Sequence, residues 1–332
     1  MIIIRNTYHL LKERKIYVGA LISAVCIIYS SSALLFTHDV YISVWKAYPL
    51  QRYYFFIPIL LLLGFVVAGI ICSPAAPITF IRTKISDRWG GATITILIYL
   101  CSISAFTAYK HVLDIKLSFF ADGWLASIDE YLFIGQPWYR LRAITPRWLD
   151  WPLYSLYSQI WFIYLIGGFL VAAFVQNSKT RNVYMATLIA QAFVLDMIIR
   201  SALNSAGPVF YDRVFGGDRF SGLIEALRNS PAGPATLRIV DYLWYSYATD
   251  RTVLGTGISA MPSGHLAIVT INALLASAMS RAAGYVAWVY VAIIMYGSIY
   301  FGWHYSLDGV VSIVTVIALW RCCDRLIDNA MT

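Results

Sequence analysis

Two histidines, an aspartate and a serine are the residues in this sequence best placed for chemistry. In "GWHYSLDG", His304 and Asp308 stand four apart. That spacing puts both side chains on one face of a helix beginning there. A carboxylate bonded to one ring nitrogen fixes the tautomer and leaves the other nitrogen free as nucleophile or base. The same two residues would equally serve as a helix-end hydrogen bond or half a metal site. The second stretch is "MPSGH" at 261–265. Pro262 and Ser263 suit the opening of a helix, and Gly264 lets a ligand approach the backbone. Free N–H groups at a helix start, with the dipole behind them, suit a phosphate oxygen. His265 then stands beside that anion site, able to give or take a proton. Simple capping at a membrane surface explains Pro262 and Ser263 but not His265.

The elements that must position these residues are membrane helices. The chain has 332 residues, 60% hydrophobic and 13% charged, with a mean hydropathy of +0.68. A soluble domain carries about a quarter charged residues, and a hydrocarbon core is crossed by about 20 apolar ones. The pattern predicts an all-α integral membrane protein with about eight transmembrane helices, at 17–36, 55–72, 92–109, 151–175, 183–203, 264–279, 285–303 and 305–321. Because 285–321 is nearly continuous, seven is the alternative count. The first segment also invites reading as a signal peptide, but it is long for one and has no convincing cleavage site. Residues 1–91 form an N-terminal hairpin with its following loop, 92–321 a six-helix core and 322–332 a tail.

Lys and Arg in the short loops set orientation. Arg14, Arg88, Lys179, Arg281 and Arg321 all fall on one side of an eight-span topology, so the termini are expected in the cytoplasm of a plasma (inner) membrane. Segments 110–150 and 204–262, and both histidines, then face outward. Segment 110–150 reads as amphipathic helices in the interface, with Trp124, Trp138 and Trp148 at headgroup depth, or as a loop packed over the bundle. The net charge of +8 is mostly this topology signal, and nothing in the chain suggests nucleic acid. The cysteines show no pair placed for an extracellular disulfide and no metal-binding CxxC.

Ionisable residues inside spans are functional candidates by default. Asp196 and Arg200, four apart on one helix face, are able to pair. They are either a structural tie between helices or part of the outer polar site.

"MPSGH" followed by "HYSLD" resembles the second and third motifs of the type 2 phosphatidic acid phosphatase superfamily, six-helix membrane enzymes acting on lipid phosphates. The resemblance covers about 92–321. That family's first motif is a Lys, six residues, then Arg-Pro; in "RSALNSAGP" the register is kept with Arg200 for Lys and Gly207 for Arg. Its third motif opens with Ser-Arg, where Gly297 and Ser298 stand here. Within the superfamily, "SAGPVFYDRVFG" and "SPAGPATLRIVDYLW" are similar to loops of the inositol phosphorylceramide synthase (aureobasidin-resistance) branch.

The resemblance implies a role for each matching residue. His304 attacks phosphorus, Asp308 orients it, and His265 moves the proton. Ser263 and the Gly264 and His265 amides hold the phosphoryl oxygens. Arg200, Arg213 and Arg219 are the candidates to replace the missing phosphate-binding cations, and neither metal nor cofactor is required. The substrate is a phospholipid or lipid phosphate. Three outcomes follow: transfer of a phosphoryl headgroup such as inositol phosphate, hydrolysis of phosphatidic acid or a polyprenyl pyrophosphate, or non-catalytic binding or transport. The missing arginines lean toward transfer, and an oriented nucleophile argues against mere binding.

Overall fold

The computed structural model describes residues 2–48, 75–251 and 257–331, with a few isolated positions between 59 and 66. The expected span at 55–72 therefore lies outside the described residues, save those few. Among the described residues every regular element is helical. In chain order they are α1 (Ile2–Phe36), α2 (His38–Tyr48), α3 (Pro77–Lys116), α4 (Asp122–Leu132), α5 (Pro137–Ile144), α6 (Asp150–Tyr154), α7 (Trp161–Phe174), α8 (Ser178–Phe193), α9 (Arg200–Leu203), α10 (Pro208–Phe215), α11 (Ser221–Arg228), α12 (Gly233–Ala248), α13 (Gly264–Met279), α14 (Arg281–Tyr300) and α15 (Ser306–Met331). π-Helical turns at Ser155–Ile160 and Val194–Ile199 join α6 to α7 and α8 to α9.

Among the described residues, five stretches are long and apolar enough to cross a membrane: Tyr17–Phe36, Ile85–Lys116, Arg147–Phe174, Ser178–Leu203 and Arg281–Tyr300. α13 is apolar but shorter, at 16 residues. The chain is a multi-pass membrane protein.

Its contacts divide it into two units. The first comprises Met1–Ala108, Ile163–Ala190 and Ala318–Thr332. Here Tyr99 stacks on Phe169 with ring centroids 3.6 Å apart. Arg88 and Arg181 take the carbonyls of Ala173 and Val175 at the end of α7, at 3.1 and 2.7 Å. Cations there complement the exposed carbonyls and the negative end of the helix dipole. Lys179 bridges Asp324 and Asp328 of α15 at 3.0 and 2.8 Å.

The second unit comprises Tyr109–Phe162 and Gln191–Ile317, and it holds every candidate site residue. Its core includes Phe119, Leu125, Phe210, Leu223, Phe301 and Tyr305. α4 is amphipathic: Leu125 and Ala126 are buried with Asp122 and Asp129, while Trp124, Tyr131 and Leu132 are exposed. Trp148 is exposed too, whereas Trp138 is only 8% accessible, packed into the unit rather than turned outward. Pro137 starts α5, and the Trp138 ring packs against Gly222 while its Nε1 donates to Gln136 at 2.5 Å.

A short connection makes α13 and α14 antiparallel neighbours. Ser280 alone separates them, and Gly284 lets them close up: a Cβ there would fall 2.8 Å from Cα of Ser277. The start of α13 and the end of α14 therefore meet at one end of the hairpin. After a turn through Gly302, α15 begins at Ser306 at that same end. Ser263, His265, His304 and Asp308 are thereby gathered by topology.

Candidate active site

Ser263 is the N-cap of α13, with extended backbone angles and a side-chain oxygen accepting the Leu266 N–H at 3.4 Å. Its own N–H donates to the Asp308 carbonyl at 3.3 Å, which stitches the start of α13 to the start of α15. The Ser263 hydroxyl lies 3.1 Å from Nε2 of His304. On the far side of that ring, Nδ1 is 3.4 Å from Oδ2 of Asp308. Oδ2 also accepts the Tyr305 N–H at 2.9 Å, so the carboxylate is fixed by backbone. Ser263 and Asp308 are fully buried and His304 is nearly so. A carboxylate at Nδ1 selects the tautomer with its proton there, and Nε2 is then an acceptor for the Ser263 hydroxyl. The Nδ1–Asp308 contact is too long for a good hydrogen bond. Such contacts are commonly loose until substrate closes them.

His265 is half-buried in the first turn of α13. Its ring stacks on Tyr157 with centroids 4.6 Å apart and planes 4° from parallel. Trp161 covers it at 4.1 Å, and Trp161 Nε1 donates to the His265 carbonyl at 3.3 Å. The π-helical turn at Ser155–Ile160 carries Tyr157, a local irregularity frequent at functional sites. The His265 and His304 rings are 6.3 Å apart. Gly264, which joins Ser263 to His265, is exposed, and a Cβ there would project into open space. An accessible backbone with the positive end of a helix dipole behind it thus adjoins His265, an arrangement suited to an anion.

Two carboxylates that sequence reasoning did not single out hold the surrounding loops. Asp122 accepts the N–H groups of Ala206 and Gly207, each at 2.9 Å, and the Tyr305 hydroxyl at 3.0 Å. Asp129 accepts the Ser306 N–H at 2.9 Å and also the Ser306 hydroxyl. Seven residues apart, they project from the same buried face of α4. Burial pushes both carboxyls above their ordinary range, opposed by these hydrogen bonds. Gly207 is required where it stands. Its φ is +85°, and a Cβ would fall 2.5 Å from the Trp303 carbonyl oxygen and 2.9 Å from Cβ of Ala260. The segments before α10, α13 and α15 therefore meet at this glycine. The one sequence signal for the two aspartates is their helical spacing in an aromatic stretch.

Each predicted arginine is paired with acid. Arg200 is 2% accessible and binds Asp114 at 3.0 Å and Asp196. Asp114 in turn accepts the Ser259 N–H at 3.4 Å, which places Arg200 behind the loop leading to Ser263. Arg213 binds Asp241 at 2.5 Å. Arg219 grips Glu130 through two contacts of 3.2 and 2.9 Å, a pairing that raises the guanidinium's affinity for its proton. Among the described residues, none of the three arginines hydrogen-bonds to Ser263, His265, His304 or Asp308.

A family model described as the PAP2 superfamily matches residues 123–322, more than half of the chain. The chain belongs to the PAP2 superfamily. Phosphatase or phosphotransferase chemistry on lipid phosphates comes with that membership, and the matched stretch includes Ser263, His265, His304 and Asp308. No curated protein and no solved structure matches this PAP2 chain.

Proposed function

We propose that this PAP2 protein is a membrane lipid phosphotransferase that works through a phosphohistidine at His304 and moves a phosphoryl headgroup of the inositol phosphate kind. The observation that carries the reading is the alignment of Ser263, His304 and Asp308, with Nε2 toward the helix start and Nδ1 toward the carboxylate.

Nε2 attacks phosphorus, forming an N–P bond as the bond to the departing lipid oxygen breaks. His265 gives that oxygen its proton. Asp308 stabilises the positive charge that develops on the His304 ring. In the second half His265 takes the proton of the incoming alcohol, whose oxygen attacks phosphorus as the N–P bond breaks. The amides at Gly264 and His265 and the Ser263 hydroxyl hold the non-bridging oxygens. Such acid–base help contributes roughly 10²–10⁴ in rate, and the covalent intermediate divides one hard step into two. Arg200 acts from behind the Ser259 loop, while Arg213 and Arg219 belong to the outer layer of charge. The reading places the site on the outer face of the plasma membrane, with the termini in the cytoplasm.

One observation favours hydrolysis as the second reading. Gly264 is exposed and His265 only half-buried, so water has access to the proton-transfer group. Purified protein supplied with headgroup-labelled phosphatidylinositol, with and without ceramide or diacylglycerol, separates the two. Labelled lipid product that depends on the acceptor supports transfer. Release of inositol phosphate or free phosphate with no acceptor dependence rejects it in favour of a phosphatase.

A further inference from the structure

Among the described residues, the charge cluster behind the site contains a cation, Lys110, with no direct partner. Asp114 on α3, Asp196 on the second π-helical turn and Arg200 on α9 form a triad in which Arg200 binds both carboxylates. Lys110 lies four residues before Asp114, on the same face of α3. Its charge is felt by Arg200, Asp114 and Asp196. Yet among the described residues its ammonium forms no hydrogen bond or ion pair, in contrast to Arg200.

The loop above it accounts for its place. Gly257 has a φ of +103°, and a Cβ there would fall 2.8 Å from Cε of Lys110 and 2.3 Å from an Asp114 carboxylate oxygen. Only glycine lets this loop lie directly on the lysine stem. From Gly257 the chain runs through Ser259, tied to Asp114, to Ser263 and His265. Lys110 is therefore pinned beneath Gly257, at the start of the approach to α13. Arg200 cannot turn to a ligand without leaving two carboxylates buried and unpaired, and breaking one such pair is strongly destabilising. A lysine is a compact charge on a flexible four-carbon stem, and it can move toward an anion while its stem stays in place.

We propose that Lys110 is the cation that meets the phosphoryl oxygens beside His265, taking the part that the two absent motif arginines would otherwise play. This rests on the phosphotransfer reading of the site. The competing role is structural: Lys110 would merely balance the triad, whose two carboxylates exceed its one guanidinium.

Binding of orthovanadate, a mimic of the transferring phosphoryl group, to the purified full chain in lipid nanodiscs tests the assignment. The comparison covers wild type, Lys110→Arg, Lys110→Met and the double variant Lys110→Met/Asp196→Asn, with thermal unfolding of each. Losing a charge-assisted contact should weaken vanadate binding about tenfold to a hundredfold in Lys110→Met, and Lys110→Arg should recover part of it. The double variant restores the charge balance, so it should regain thermal stability without regaining vanadate affinity. It also carries the test should Lys110→Met alone fail to fold. Vanadate affinity at the wild-type level in Lys110→Met, or recovered in the double variant, would overturn the Lys110 assignment alone. A wild type that binds no vanadate would overturn the site reading and this assignment together.

Discussion

The Ser263 hydroxyl lies 3.1 Å from Nε2 of His304, so the residue that caps α13 also engages the ring nitrogen assigned to attack phosphorus. One side chain thus joins the anion-binding helix start to the nucleophile, and a phosphoryl group entering the site meets both together.

Ser263→Ala should therefore show two separable losses. The missing cap costs about 1 kcal/mol of stability, read as a lowered unfolding temperature. The missing phosphoryl contact should lower kcat about a hundredfold to a thousandfold. Ser263→Thr, which keeps a hydroxyl at the cap, should recover the stability more fully than the rate. A variant with reduced stability and unchanged kcat would leave Ser263 as a cap only.

Tyr157 positions His265 through its ring face. Among the described residues its buried hydroxyl meets no hydrogen-bond partner, and a buried polar group left unpaired costs about 1–3 kcal/mol. Tyr157→Phe should accordingly keep or raise the unfolding temperature and leave kcat within roughly a factor of two. Tyr157→Leu removes a stacking contact of about 0.5–1.5 kcal/mol and should slow turnover by up to about tenfold. Steady-state kinetics on both variants distinguish ring from hydroxyl, because a role for the hydroxyl would reverse their order.

Asp129 should make stability pH-dependent. Burial raises its carboxyl from the ordinary 3.8, so the folded chain holds the proton to higher pH than the unfolded chain. Its contribution to stability is then largest below about 3.8 and falls as pH rises through the higher folded value. Thermal unfolding of wild type and Asp129→Asn from pH 4 upward checks the sign. The wild type should lose stability relative to the variant as pH rises across that window, and the opposite slope would reject the assigned cause.

What could be read in advance depended on the range of the interactions. His304 and Asp308 do pair, but not from one helix face, because α15 begins only at Ser306 and His304 approaches Asp308 from the turn before it. Ser263 with His265 is a local pair at a helix start, as its spacing implies. The Asp196–Arg200 pair was legible for the same reason, but its third member is not: Asp114 comes from α3, and only tertiary packing brings it to Arg200. Asp122 and Asp129 lie in an amphipathic stretch where an acid ordinarily faces water. Here they point inward because Ala206, Gly207 and Ser306 need acceptors for buried N–H groups. Trp138 followed the same logic in reverse, since an interfacial tryptophan and a core tryptophan have the same neighbours in sequence. Tyr157 has no distinguishing neighbour in sequence, and only the π-helical turn sets it over His265.

The passage of phosphorus through His304 is open to trapping: rapid acid-free quenching of the protein turning over headgroup-labelled phosphatidylinositol, followed by peptide mapping of the label. An acid-labile phosphoryl adduct is expected on His304, absent from His304→Ala and reduced in Asp308→Asn. Label on Ser263 in acid-stable form, or continued turnover by His304→Ala, would contradict it.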